Sequence, residues 1–123
     1  MDPEVLKYNQ KQEPSLKGVC DVLAEEIDRH LPEAEGKMWH AHPAWFLDGN
    51  PTVGYSKQKP GIRLMFWSGA DFEEPAPNVV GKKFNDVSDV DKADVRRWLE
   101  KAREIRWDYR NLAKRKGRLE RVP

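Results

Sequence analysis

Three features of the chain predict an α+β fold, a two-layer sandwich in which a helix, an antiparallel β-meander and a second helix follow one another. Apolar residues recur at helical spacing from Leu16 to Leu31. Turn residues then divide the stretch from Gly36 to about Phe84 into short segments, and helical spacing returns from Val95 to Leu112.

The first helix begins at Pro14-Ser15 and ends at Pro32. Leu16, Val19, Cys20, Leu23, Ile27 and Leu31 form its apolar stripe. At about 100° per residue, Asp21, Glu25 and Asp28 fall together on the opposite face as a ridge of three carboxylates directed at water. Residues 1–13 read as an N-terminal extension.

In the middle of the chain, Asp48-Gly49-Asn50-Pro51 separates Ala44–Leu47 from Thr52–Ser56, which is a hairpin signal. Lys57 to Gly61, with Pro60-Gly61, closes a second turn before Ile62–Trp67. In that segment Ile62, Leu64 and Phe66 share one face, while Arg63, Met65 and Trp67 share the other. Both faces carry large apolar side chains, but helices cover only one. The second face therefore needs a loop, another subunit or a ligand. Ser68 to Asn78, with Pro75 and Pro77, reads as a loop able to lie across it, and Lys82–Val87 as a further strand.

Ser88 or Asp89 caps the last helix, whose buried stripe is Val95, Trp98, Leu99, Ala102, Ile105, Tyr109 and Leu112. Arg96, Arg103, Trp107, Arg110 and Lys114 project within about 60° of one another on the same helical wheel, away from that stripe. Residues 114–123 form a basic tail, and the whole chain reads as one domain, 1–123.

Composition narrows the function classes. A mean hydropathy of -0.87 with 35% charged residues is polar, yet a net charge of +1 and five tryptophans belong to a folded chain rather than a disordered one. The lone Cys20 excludes an internal disulfide and a multi-thiolate metal site, and it reads as a buried small hydrophobe. Met1-Asp2-Pro3-Glu4 is neither basic nor apolar, and Leu64 to Trp67 is far short of a membrane span. The expected compartment is the cytoplasm, with no membrane partner. Charge is lopsided: residues 96–123 hold eleven Lys or Arg against four acids. That excess either pairs within the protein or offers a patch to an anionic partner.

The chemistry-bearing residues concentrate between Lys37 and Trp67. Trp39, Trp45, Tyr55, Met65 and Trp67 are candidates for an aromatic sheet face that would form a ligand pocket or a homodimer surface. Strand alternation assigns some of them to the core. His40 and His42, two apart, would share a face of an extended segment with room for one metal ion between them. The Arg96, Arg103, Trp107, Arg110 and Lys114 stripe is the candidate partner-binding patch. Glu100, Glu104 and Asp108 beside it count against nucleic acid. No nucleophile elbow, phosphate loop or dinucleotide fingerprint occurs, so no catalytic residue is assigned and a binding protein is expected.

The run Met38-Trp39-His40-Ala41-His42-Pro43-Ala44-Trp45-Phe46-Leu47-Asp48-Gly49-Asn50-Pro51, followed by Val53-Gly54-Tyr55, resembles the signature of the bacterial YdhG-like family, domain of unknown function 1801. Arg63 to Gly69 and Trp98 to Tyr109 are similar to one subgroup, and the resemblance spans about residues 15–118. Some members are described as frataxin-like intracellular iron chaperones. The resemblance thus implies a frataxin-like two-layer architecture and weakly bound iron as cargo, held on the ridge of Asp21, Glu25 and Asp28 with His40 and His42 as a second site.

Overall fold

The computed structural model describes residues 1–58, 61–73 and 82–105. Helix α1 (Pro3–Gln10) precedes α2 (Pro14–His30). Five strands follow: β1 (Glu35–Trp39), β2 (His42–Leu47), β3 (Asn50–Lys57), β4 (Ile62–Phe66) and β5 (Lys82–Phe84). Helix α3 (Lys92–Glu104) comes last. The strands form one antiparallel sheet in the order β1-β2-β3-β4-β5, an uninterrupted meander. The expected α+β class and meander are therefore present, with three helices among the described residues where two were expected.

The additional helix lies within residues 1–13, the expected N-terminal extension. Asp2 caps α1 by accepting from the Glu4 N–H at 2.7 Å, and Pro3 sits at the first helical position. Val5 and Asn9 then enter the core, where the Asn9 amide oxygen accepts from the Tyr55 hydroxyl at 2.6 Å. On the same helix Tyr8 accepts at its hydroxyl from the Lys57 N–H, tying α1 to the end of β3.

Helix α2 buries the predicted stripe, Leu16, Val19, Cys20, Leu23, Ile27 and Leu31, against Trp45, Leu47, Val53, Tyr55, Ile62, Leu64, Phe66 and Phe84 of the sheet. α3 adds Val95, Trp98, Leu99 and Ala102 to the same core, so all three helices lie on one face. Asp91 caps α3 by accepting from Ala93 and Asp94, two positions beyond the predicted cap, because Val87–Asp89 forms a separate 3-10 turn. α3 stops at Glu104, and Ile105 is extended with φ -108° and ψ 101°. Of the stripe predicted on one helical wheel, Arg96 and Arg103 are described and Trp107, Arg110 and Lys114 are not. Tyr109, Leu112 and the 114–123 tail lie, like those three residues, outside the described residues.

Two tight hairpins shape the sheet. The expected one uses Asp48 and Gly49, both at positive φ (52° and 78°), as the mirror-image turn matched to strand twist. The other joins β1 to β2 through His40 and Ala41, at φ 50° and 67°. This pair lacks the glycine or asparagine that such a turn prefers. Its consequence is a change of face. Trp39 pairs with His42, and Trp45, three positions further on, points to the opposite side.

The 3-10 turn Gly69–Asp71 sends Phe72 into the helix-side core against Phe66, with ring centroids 5.5 Å apart. Lys101 Nζ donates to the Phe72 carbonyl at 2.9 Å. The described start of this loop thus runs toward α3, not across the outer sheet face as expected.

Candidate functional site: the outer face of the meander

The sheet face away from the helices carries Lys37 and Trp39 from β1, His42, Ala44 and Phe46 from β2, Gly54 from β3, Arg63 and Met65 from β4, and Trp67 just beyond β4. Small residues make its centre. Lys37, Ala44, Gly54 and Met65 lie in one row across the sheet, so two neighbouring strands present almost no side chain.

Large rings lie into that trough from both sides. Trp39 and Trp67 have centroids 5.8 Å apart, although they belong to opposite ends of a four-strand span. Phe46 meets Trp39 edge-on at 5.4 Å, His42 stacks over Trp67 at 6.5 Å, and the His40 ring lies 4.2 Å from Trp39. Lys37 Nζ sits 4.6 Å above the Phe46 ring, a cation–π contact. A Cβ on Gly54 would fall 2.7 Å from the Pro43 carbonyl oxygen and 3.4 Å from Trp67 Cζ3, so glycine here leaves the space the indole uses. Phe46 and Met65 are buried under the cluster, while Trp39, His42 and Trp67 remain part-exposed.

Of the predicted ligand-face residues, the fold brings together Trp39, His40, His42, Met65 and Trp67. Trp45 and Tyr55 are corrected to the core: both are fully buried on the helix side with centroids 5.9 Å apart. Burial pushes the Tyr55 phenol pKa well above its ordinary value. Gly36, opposite Trp45, has no room for a side chain, because a Cβ would lie 2.5 Å from Trp45 Nε1. Phe46 and Lys37 belong to the cluster and were missed as site residues. Counting strand parity outward from a His40–Ala41 turn would have found both.

The two histidines do not form the predicted metal pair. His40 occupies the turn in a left-handed conformation and contacts Trp39, whereas His42 begins β2, contacts Trp67 and has Nδ1 3.2 Å from the Pro43 carbonyl. The extended geometry that would aim both at one ion is absent.

The carboxylate ridge is arranged differently from the expectation too. Asp21 pairs with Lys17 at 2.6 Å and Glu25 with Arg29 at 3.1 Å, both one helical turn away. Asp28 does not simply face water, since its Oδ1 accepts from the buried Trp45 indole N–H at 2.9 Å. The three line a cleft of about 630 Å³ together with Met1, Leu6 and Asn9. Among the described residues, no three His, Cys, Asp or Glu side chains gather where they could hold a metal ion.

The described part of the predicted partner patch is engaged with α2 while remaining part-exposed to solvent. Arg96 donates from Nε and Nη2 to the two oxygens of buried Glu26, at 3.1 and 3.2 Å. Arg103 donates to the His30 carbonyl at the end of α2 and pairs with Glu33 and Glu100 at 3.1 Å each. Sequence reasoning missed Glu26, which lies one position from the exposed Glu25 and looks like another solvated acid. The Arg96 hydrogen bonds hold its carboxyl below the usual range, against the opposing effect of burial.

Searches of the chain against protein-family models, curated proteins and solved structures give no match.

Proposed function

We propose that this chain is a non-catalytic binding protein whose working surface is the outer face of the meander, where a flat unsaturated ligand stacks on Trp39 and Trp67. The observation carrying this reading is the convergence of two part-exposed indoles, with His42 beside them, on the sheet face opposite all three helices. Aromatic side chains clustered on a part-exposed sheet face supply stacking area at little conformational cost. Cys20 is no candidate nucleophile, because it lies in the core and burial pushes its thiol up to about 12.

This reading is preferred to the iron-handling role implied by the resemblance because of what Asp21, Glu25 and Asp28 already do. Two are in ion pairs and one holds the Trp45 indole, so a cation would compete with three existing partners for the same carboxylates.

Equilibrium dialysis with adenosine as a flat probe, and with ribose as the ringless control, tests the proposal. The wild-type chain should retain adenosine and not ribose, and Trp39→Ala and Trp67→Ala should each weaken retention by about tenfold or more, on the scale of one aromatic stack. Equal retention of adenosine and ribose, or adenosine binding untouched by both substitutions, would refute it.

A further inference from the structure

The outer face is not electrically neutral. Its strand residues include Lys37, Arg63 and Lys83 against a single acid, Glu35, and that acid already lies 3.7 Å from Lys37. Arg63 and Lys83 sit side by side as a β4–β5 pair, with Ser56 of β3 on the other flank of Arg63. None of the ion pairs among the described residues uses either cation, and the buried Arg63 Nε has no hydrogen-bond partner there. Arg63 as a whole is only part-buried, and a planar, permanently charged fork is the side chain best matched to phosphate oxygens.

We infer that the ligand of this face is an anion carrying a flat ring, with the chemistry of a nucleoside phosphate: the ring stacks at Trp39 and Trp67, and the phosphate lies toward Arg63 and Lys83. The inference rests on the stacking reading above and adds charge to it. From β2, where His42 flanks the indoles, to β4, which carries Arg63, is two strand spacings, roughly 10 Å. Ring and charge are thus offered to different ends of one ligand. A sheet with exposed aromatics and flanking cations is also the general solution for holding a single-stranded nucleic acid, whose bases stack while its backbone is neutralised. The surface differs from the C-terminal helix, where acids beside the basic stripe counted against such a partner. A second copy of this chain is the poorer occupant, since pairing the face with itself would set two surfaces with an excess of positive charge against each other.

The test compares adenosine, adenosine 5′-monophosphate and a fluorescently labelled deoxythymidine decamer on the full chain at 50 and 200 mM salt. The monophosphate should bind about tenfold more tightly than adenosine at the lower salt, the scale of one charge-assisted contact. That advantage should shrink at the higher salt, and Arg63→Gln should remove it while Arg63→Lys keeps part of it. A decamer that outbinds the monophosphate identifies a polynucleotide as the source of the chemistry, and equal binding identifies a free nucleotide. If adenosine and its monophosphate bind alike at both salts, the charge inference fails while stacking stands. If none of the three binds, both fail. The comparison of ligands on the wild-type chain decides the matter even if the Arg63 variants do not fold. Concentration-dependent dimerisation abolished by Trp67→Ala, without nucleotide binding, would assign the face to self-association and overturn the inference.

Discussion

Arg96 grips both oxygens of Glu26 across the α2–α3 interface, with Nε to Oε2 at 3.1 Å and Nη2 to Oε1 at 3.2 Å. The Glu26 side chain is 3% exposed and Arg96 45% exposed, so the pair has one dry end and one wet end. His30 Nε2 lies 3.1 Å from Glu26 Oε2 without hydrogen-bond alignment, leaving Arg96 as the principal support of the buried charge. Arg96→Met should therefore destabilise the fold at neutral pH, by less than the loss of a fully buried pair because half of the guanidinium is already in water. The folded-state pKa of Glu26 is lowered, so its contribution is present above the ordinary carboxylate range and is lost as pH falls through the folded value. Urea unfolding of both proteins should show the gap at pH 7 closing below about pH 4. A gap that stays constant with pH would refute the role given to this pair.

Asp28 carries a structural load that Asp21 and Glu25 do not. Asp28→Ala should cost about 1–3 kcal/mol by leaving the buried Trp45 N–H without an acceptor, whereas Asp21→Ala and Glu25→Ala should stay within about 0.5 kcal/mol. Thermal unfolding of the three variants distinguishes this from a ridge whose members act alike.

The β1–β2 turn holds stored strain. Ala41 has φ 67°, a conformation that glycine adopts without penalty, so Ala41→Gly should stabilise the chain by about 0.5–1 kcal/mol. A fall in stability on chemical denaturation would contradict the turn geometry.

Gly54 links packing to the proposed site. Gly54→Ala should destabilise by about 1–3 kcal/mol, because the new Cβ meets a backbone oxygen at 2.7 Å. It should also lift Trp67 from the trough, read as a red shift of tryptophan emission. Unchanged emission and stability would mean that the indole does not rest on this glycine.

Legibility followed the range of the physics. Helix α2 and the Asp48-Gly49 hairpin were readable because periodicity and turn chemistry are local and were unambiguous there. Helix α1 was also written locally, in Asp2-Pro3-Glu4, but polar residues surround Val5 and the signal went unread. The His40–Ala41 turn had no sequence mark, and without it the candidate list could not be divided into Trp39 on the outer face and Trp45 in the core. The partners of Arg96 and Arg103 are about seventy positions away, so a wheel diagram could show where these side chains leave α3 but not what they reach. The same limit hid the role of Asp28, since its partner Trp45 belongs to a different element.

The central claim is that Trp39 and Trp67 are the working surface and Trp45 is scaffold. It is tested most directly by following the indole N–H resonances of the 15N-labelled chain, assigned by single Trp→Phe variants, as adenosine 5′-monophosphate is added. The Trp39 and Trp67 signals should move in a saturable way while Trp45, bonded to Asp28, stays in place. A titration that shifts Trp45 and leaves Trp39 and Trp67 unmoved would contradict the account.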